Sequence, residues 1–177
     1  MKTNLMLLLA LTASSLTAAD TVWNPSASSG AYNDGASWTG GEAPTAGDTP
    51  TFRQSGTVDV SAKADGAFQS LKVIASGGDL SVNLNPSPFS LLGSRELLVA
   101  GASTACATLN VTGGVVANML RVRLGDSAPN GTLCVTGDGT KMAASGDNTI
   151  VGFHHPNCAL EVLGGARFTS GRETILG

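Results

Sequence analysis

Charge and aromatic rings are both scarce in this chain. Charged side chains make up 13% of its 177 residues, against the usual ~25%, and aromatic ones 5%. The net charge of −3 comes with no basic block, which excludes the clustered Lys and Arg of a nucleic-acid binder. Disorder is excluded too, because 42% of the residues are hydrophobic. Cysteine is limited to three residues, so at least one stays unpaired. After the first 19 residues no apolar stretch reaches the roughly 20 residues of a membrane helix, so no span is expected in the mature chain.

The first 19 residues read as a secretory signal. Lys2 supplies the positive start, Leu5 to Leu11 the apolar stretch, and Thr17-Ala18-Ala19 the small residues before a cut ahead of Asp20. No Cys follows the apolar run, which argues against a lipid anchor there. The expected address is the cell surface or the medium.

What the chain has in abundance is Gly, 23 residues, and a pattern that returns. Leu-x-Val begins at Leu109, Leu133 and Leu160, intervals of 24 and 27. Gly113, Gly137 and Gly164 each follow the Leu by four residues, and Gly125, Gly152 and Gly177 close the units. A period in the twenties is a solenoid signature. Within each unit the alternation has period two, so Leu109 and Val111 point one way and Asn110 the other. Cys134 and Glu161 are outward by the same rule, as are Arg121 and Arg123 between Leu120, Val122 and Leu124. An antiparallel sandwich is the competing arrangement. Three landmarks recurring together favour an all-β, parallel β-helix over residues 57–177.

Residues 20–56 differ. Trp23, Tyr32 and Trp38, the only Trp and Tyr residues, are interleaved with Gly30, Gly35, Gly40, Gly41 and Gly47. One reading is an N-terminal cap covering the first coil's apolar cross-section and open edges. The other is a ligand-stacking platform in which Trp23, Tyr32 and Trp38 lie under sugar rings. The stretch from Trp38 through Pro44, Gly47 and Asp48 to Phe52, followed by L-x-V-x-G-G coils, resembles exported bacterial proteins with autotransporter-type β-strand repeats, known across Planctomycetes and Verrucomicrobia. The resemblance implies a right-handed surface β-helix and no defined chemistry. The chain departs from it in having no C-terminal barrel and no apolar sorting helix with a basic tail. Gly177 falls on the closing Gly of a coil, so the expectation is a solenoid that is incomplete at the C-terminus.

Residues 57–106 read as irregular early coils. Leu71-Lys72-Val73 echoes the later Leu-x-Val, which leaves 38 residues to Leu109 and implies an insertion or an extra partial coil. Leu91-Leu92-Gly93 resembles a closing pair, and Asn85 to Pro88 should be a loop.

Candidate chemistry is thin. His154, His155 and Cys158 form the only His cluster, and adjacent His residues seldom face one metal ion. Asp126, Asp138 and Asp147 sit in turns, without the G-G-x-G-x-D calcium repeat. Glu161 and Glu173 should lie on different faces of one coil, unlike the facing carboxylates of a glycosidase. Glu96 has no obvious partner, Arg121 or Arg123 beside Asp126 is the nearest thing to a lyase base, and Arg167 and Arg172 are scattered outward. Cys134 and Cys158 should lie about 10 Å apart along the strand, beyond the roughly 7 Å of a disulfide. Asn110 and Asn130 head glycosylation sequons, discounted for a bacterial chain. The expectation is a structural or adhesive segment with no catalysis, no metal and no cofactor. Its expected partners are surface polysaccharide or further solenoid coils, including self-association. A carbohydrate-binding module or polysaccharide-active enzyme is the alternative.

Overall fold

The structure, a computed structural model, describes residues 19–62, 64–84 and 90–177. Nearly all of the expected signal segment and the expected loop Asn85–Pro88 lie outside these described residues. The rest is a parallel β-solenoid of about six turns, the fold class that the repeat implies.

Short strands follow one another around the axis. A first layer holds β1 (Asp20–Val22), β2 (Ser29–Ala31), a 3-10 turn (Gly35–Ser37) and β3 (Thr49–Phe52). Five three-stranded coils follow. They are β4 (Gly56–Ser61), β5 (Gly66–Phe68), β6 (Leu71–Ile74); β7 (Leu80–Leu84), β8 (Ser90–Gly93), β9 (Glu96–Ala100); β10 (Ala107–Val111), β11 (Val116–Met119), β12 (Arg121–Leu124); β13 (Gly131–Thr136), β14 (Lys141–Ala144), β15 (Thr149–Val151); and β16 (Ala159–Leu163), β17 (Arg167–Ser170), β18 (Thr174–Leu176). Each strand of a coil pairs in parallel with its equivalent one coil away, and β1 pairs with β3 of its own layer, which builds sheets of seven, six and five strands. The seven-stranded sheet runs β1-β3-β6-β9-β12-β15-β18, the six-stranded one β2-β4-β7-β10-β13-β16, and the five-stranded one β5-β8-β11-β14-β17.

The Leu-x-Val row holds its register across the six-stranded sheet. Val58, Val82, Leu109, Leu133 and Leu160 align in one inward column and Val60, Leu84, Val111, Val135 and Val162 in the next. The intervals along the first column are 24, 27, 24 and 27 residues. This corrects the reading of residues 57–106. Leu71-Lys72-Val73 does not belong to that row; it lies in the seven-stranded sheet, with Leu71 on Leu97 and Val73 on Val99. No insertion is needed, and the early coils are as regular as the late ones. Leu91-Leu92-Gly93 is likewise not a closing pair but β8 of the five-stranded sheet, with Leu91 on Ala117. Leu120, expected inward, sits at the corner between β11 and β12 and is 42% exposed, whereas Val122 and Leu124 are buried. The recurring glycines earn their place at such corners: Gly113, Gly137 and Gly164 all have positive φ.

The core consists of aliphatic columns, with aromatic rings gathered at the N-terminal end. Trp23, Tyr32 and Trp38 are 0–2% exposed. Trp23 meets Trp38 edge to face at 5.0 Å and tilts over Phe52 at 5.2 Å, and Tyr32 meets Trp38 at 5.6 Å. Both indole N–H groups donate to backbone carbonyls, Trp23 to Ala27 at 2.9 Å and Trp38 to Tyr32 at 2.8 Å. One of the interleaved glycines follows from this packing, since a Cβ on Gly30 would lie 3.0 Å from the Trp23 ring, and so does Gly66 of β5, where a Cβ would lie 2.7 Å from the Tyr32 ring. Burial pushes the Tyr32 phenol well above its usual value, and the Asp48 carboxylate adds to the shift. The three rings thus face one another and leave no face on which a sugar ring can stack. They close the first layer instead. At the other end, Val162 is 40% and Leu176 73% exposed, although Val135 in the same column as Val162 is fully buried.

Candidate functional site

The densest chemistry lies on the outer face of the seven-stranded sheet. Period two turns Arg121 and Arg123 outward, and the register sets Arg121 beside Glu96 of the preceding coil. The Arg121 Nε donates to Glu96 at 3.0 Å, and Arg123 Nε lies 3.5 Å from the same oxygen. Arg123 also pairs with Asp126, and Arg121 reaches Asp147 at 3.7 Å. His154 stands at the rim, 4.0 Å from Asp126 and edge-on to Phe153. Glu96, expected to be without a partner, is therefore the hub of the network. Glu96, Arg121, Arg123 and Asp126 are one-fifth to one-third exposed, so screening of their charges by water is incomplete. Three carboxylates thus surround two guanidiniums and occupy donor groups of both.

A second array covers the outer face of the six-stranded sheet. Asp59, Asn83 and Asn110 stand in register. The Asn83 amide donates to Asp59 at 2.7 Å, and Asn110 donates to Asn83 at 2.7 Å and to the Ser81 hydroxyl at 3.1 Å. Cys134 and Glu161 extend the row. Asn110 is outward, as period two requires, but its amide is engaged. Asn130 and Asn157 form a comparable pair at a corner, both at φ 59°, with Asn157 donating to Asn130 at 3.1 Å.

Other sequence candidates are kept apart by the three-sided geometry. Asp126, Asp138 and Asp147 lie at three different corners, after β12, β13 and β14. Glu161 belongs to β16 of the six-stranded sheet, while Glu173 precedes β18 of the seven-stranded sheet. Among the described residues, no three His, Cys, Asp or Glu side chains converge as a metal set would. Cys106, Cys134 and Cys158 are free thiols, and Cys134 pairs in register with Glu161, three positions from Cys158.

One constellation escaped the sequence reading. On the outer face of the five-stranded sheet, Lys141 and Arg167 are register partners beside Asn118, Ala143 and Thr169, lining a groove of about 320 Å³. Counted from the aligned Leu133 and Leu160, the corner before Lys141 is one residue longer than the corner before Arg167. A fixed count from each Leu therefore fails to bring the two cations together. No family model matches the chain, and no curated protein or solved structure is significantly similar to it.

Proposed function

We propose that this chain is a structural and adhesive segment of an exported surface β-solenoid and that it performs no catalysis. The observation that carries the reading is the stack of rigid, regular outer faces, whose charged and amide side chains are tied to one another across coils. Such a surface is preorganised at little entropic cost, which suits repeated weak contacts with an extended polymer. The signal-like start and the resemblance to autotransporter-type repeat proteins support an exported setting. The engagement of Arg121 and Arg123 by carboxylates supports a non-catalytic face over a lyase. The test is expression of the full sequence in a bacterial host. Chain processed before Asp20, recovered from the surface or medium and retained on immobilised polysaccharide, is the expected outcome. Unprocessed chain held in the cytoplasm would overturn export, and flow-through on every polysaccharide would overturn adhesion.

A further inference from the structure

We infer that the groove on the outer face of the five-stranded sheet binds a carboxylated sugar, the uronate unit of an acidic polysaccharide. Its first feature is an uncompensated pair of cations. Lys141 and Arg167 face each other on adjacent strands, and parallel neighbours lie about 4.8 Å apart. Like charges placed directly opposite destabilise a sheet. Among the described residues, Arg53, Lys72, Arg121 and Arg123 all have carboxylate partners, whereas Lys141 and Arg167 have none within 4.0 Å. Both are exposed, and an anion seated between them relieves the repulsion. The Arg fork matches a carboxylate in a bidentate fashion.

The second feature is independent of charge. Asn118 lines the groove, and among the described residues its side-chain oxygen is shielded and has no hydrogen-bond partner, so the amide can turn that oxygen toward a donor in the groove without giving up a bond. It belongs to β11, two residues from exposed Val116, and its neighbours in register on the next coils are Ala143 and then Thr169. An orphaned acceptor calls for an O–H or N–H donor. The small Ala143 between Asn118 and Thr169 leaves the depression. A uronate ring supplies everything this lining lacks: a carboxylate for the cations, hydroxyls for Asn118 and Thr169, and a C–H face for Val116. A neutral sugar leaves the cations uncompensated, and a bare anion leaves Asn118 unpaired. The adhesive reading supplies the biological setting, but the groove is tested separately.

The experiment is isothermal calorimetry on the folded chain purified from expression of the full sequence, with tetragalacturonate as probe. Wild type binds it, and binding weakens with salt. K141Q/R167Q binds at least tenfold more weakly with an unchanged circular dichroism spectrum. R95Q/R172Q, which removes two unpaired cations outside the groove lining, stays within twofold. Asn118→Ala weakens binding severalfold. Maltotetraose and the methyl ester of the probe bind at least tenfold more weakly than the probe. No binding of tetragalacturonate, or equal loss in the two double variants, overturns the assignment. Equal binding of tetraglutamate overturns the sugar in favour of an acidic peptide. Binding of maltotetraose that the groove variants leave untouched overturns the groove while sparing the adhesive reading.

Discussion

Val111, Val135 and Val162 occupy one inward column at the same strand position, and they differ in what lies above them. Val135 is fully buried between Val111 and Val162, whereas Val162 is 40% exposed. Val135→Ala removes two carbons at about 0.8 kcal/mol each and leaves a cavity, so the loss comes to about 2–3 kcal/mol. Val162→Ala removes the same atoms from a site only partly withdrawn from water, and no cavity needs to be enclosed. Its loss is about 0.5–1 kcal/mol. With a urea m-value of about 2 kcal/mol/M, the midpoints fall by about 1–1.5 M and about 0.3–0.5 M respectively. The assay is urea unfolding followed both by far-UV circular dichroism and by Trp fluorescence. Both Trp residues sit in the first layer, so coincident transitions establish that the coils unfold as one unit. Equal costs for the two substitutions would refute the reasoning, because they would mean that Val162 is as covered as Val135.

Three more predictions concern polar groups. Among the described residues the Tyr32 hydroxyl is buried without a partner, so Tyr32→Phe should leave stability unchanged or raise it by up to about 1 kcal/mol in thermal unfolding; a loss above about 1 kcal/mol would reveal an unseen hydrogen bond. Asp48 accepts from the Thr45 hydroxyl at 2.7 Å and the Thr45 N–H at 2.8 Å, which hold its carboxyl below the usual 3.8. Its stabilisation is therefore present above the unfolded value and lost as pH falls through the lower folded value. The stability gap between wild type and Asp48→Asn should be full at neutral pH and close below about pH 4, and a gap that does not change with pH would contradict this. Asn110→Asp, though an outward change, removes both donors of that amide and sets a carboxylate against the Asn83 oxygen. It should cost about 1 kcal/mol in chemical denaturation, and a neutral result would mean that the ladder contributes nothing. Calorimetry on the groove variants completes the set.

The architecture was legible because two periods coincide in the chain. Alternation along each strand set Leu133 and Val135 inward and Cys134 outward, and the recurrence of Gly113, Gly137 and Gly164 marked the corners. The mistake over Leu71-Lys72-Val73 has a physical source. An apolar-x-apolar triplet looks the same on any of three sheets, since all three bury alternate residues. Only the interval separates them, and corners of unequal length blur the interval. The same irregularity hid the Lys141–Arg167 pair and the contact of Glu96 with Arg121, both of which depend on register between coils. The burial of Trp23 and Trp38 was foreseeable as a need to close the first layer, but composition does not distinguish a ring packed on another ring from one waiting for a ligand.

The alternation of 24- and 27-residue coils has a consequence for how such a molecule changes length. Every described ladder runs without a bulge, so the added residues fall between strands and never within them. The unit that repeats is a pair of turns, one short and one long. Gly131 lies on Ala107, which lies on Leu80, so excising residues 80–130 joins Asp79 to Gly131 and sets β13 directly on β4 with the inward columns of the six-stranded sheet in register. Copying the same segment does the reverse. Lengthening or shortening by duplication and loss therefore keeps the strand register at the seam and leaves only side chains to repack, as where Ala144 would replace Gly93 against Phe68, and the reach of the molecule becomes a quantity that recombination can adjust in fixed steps of about 10 Å.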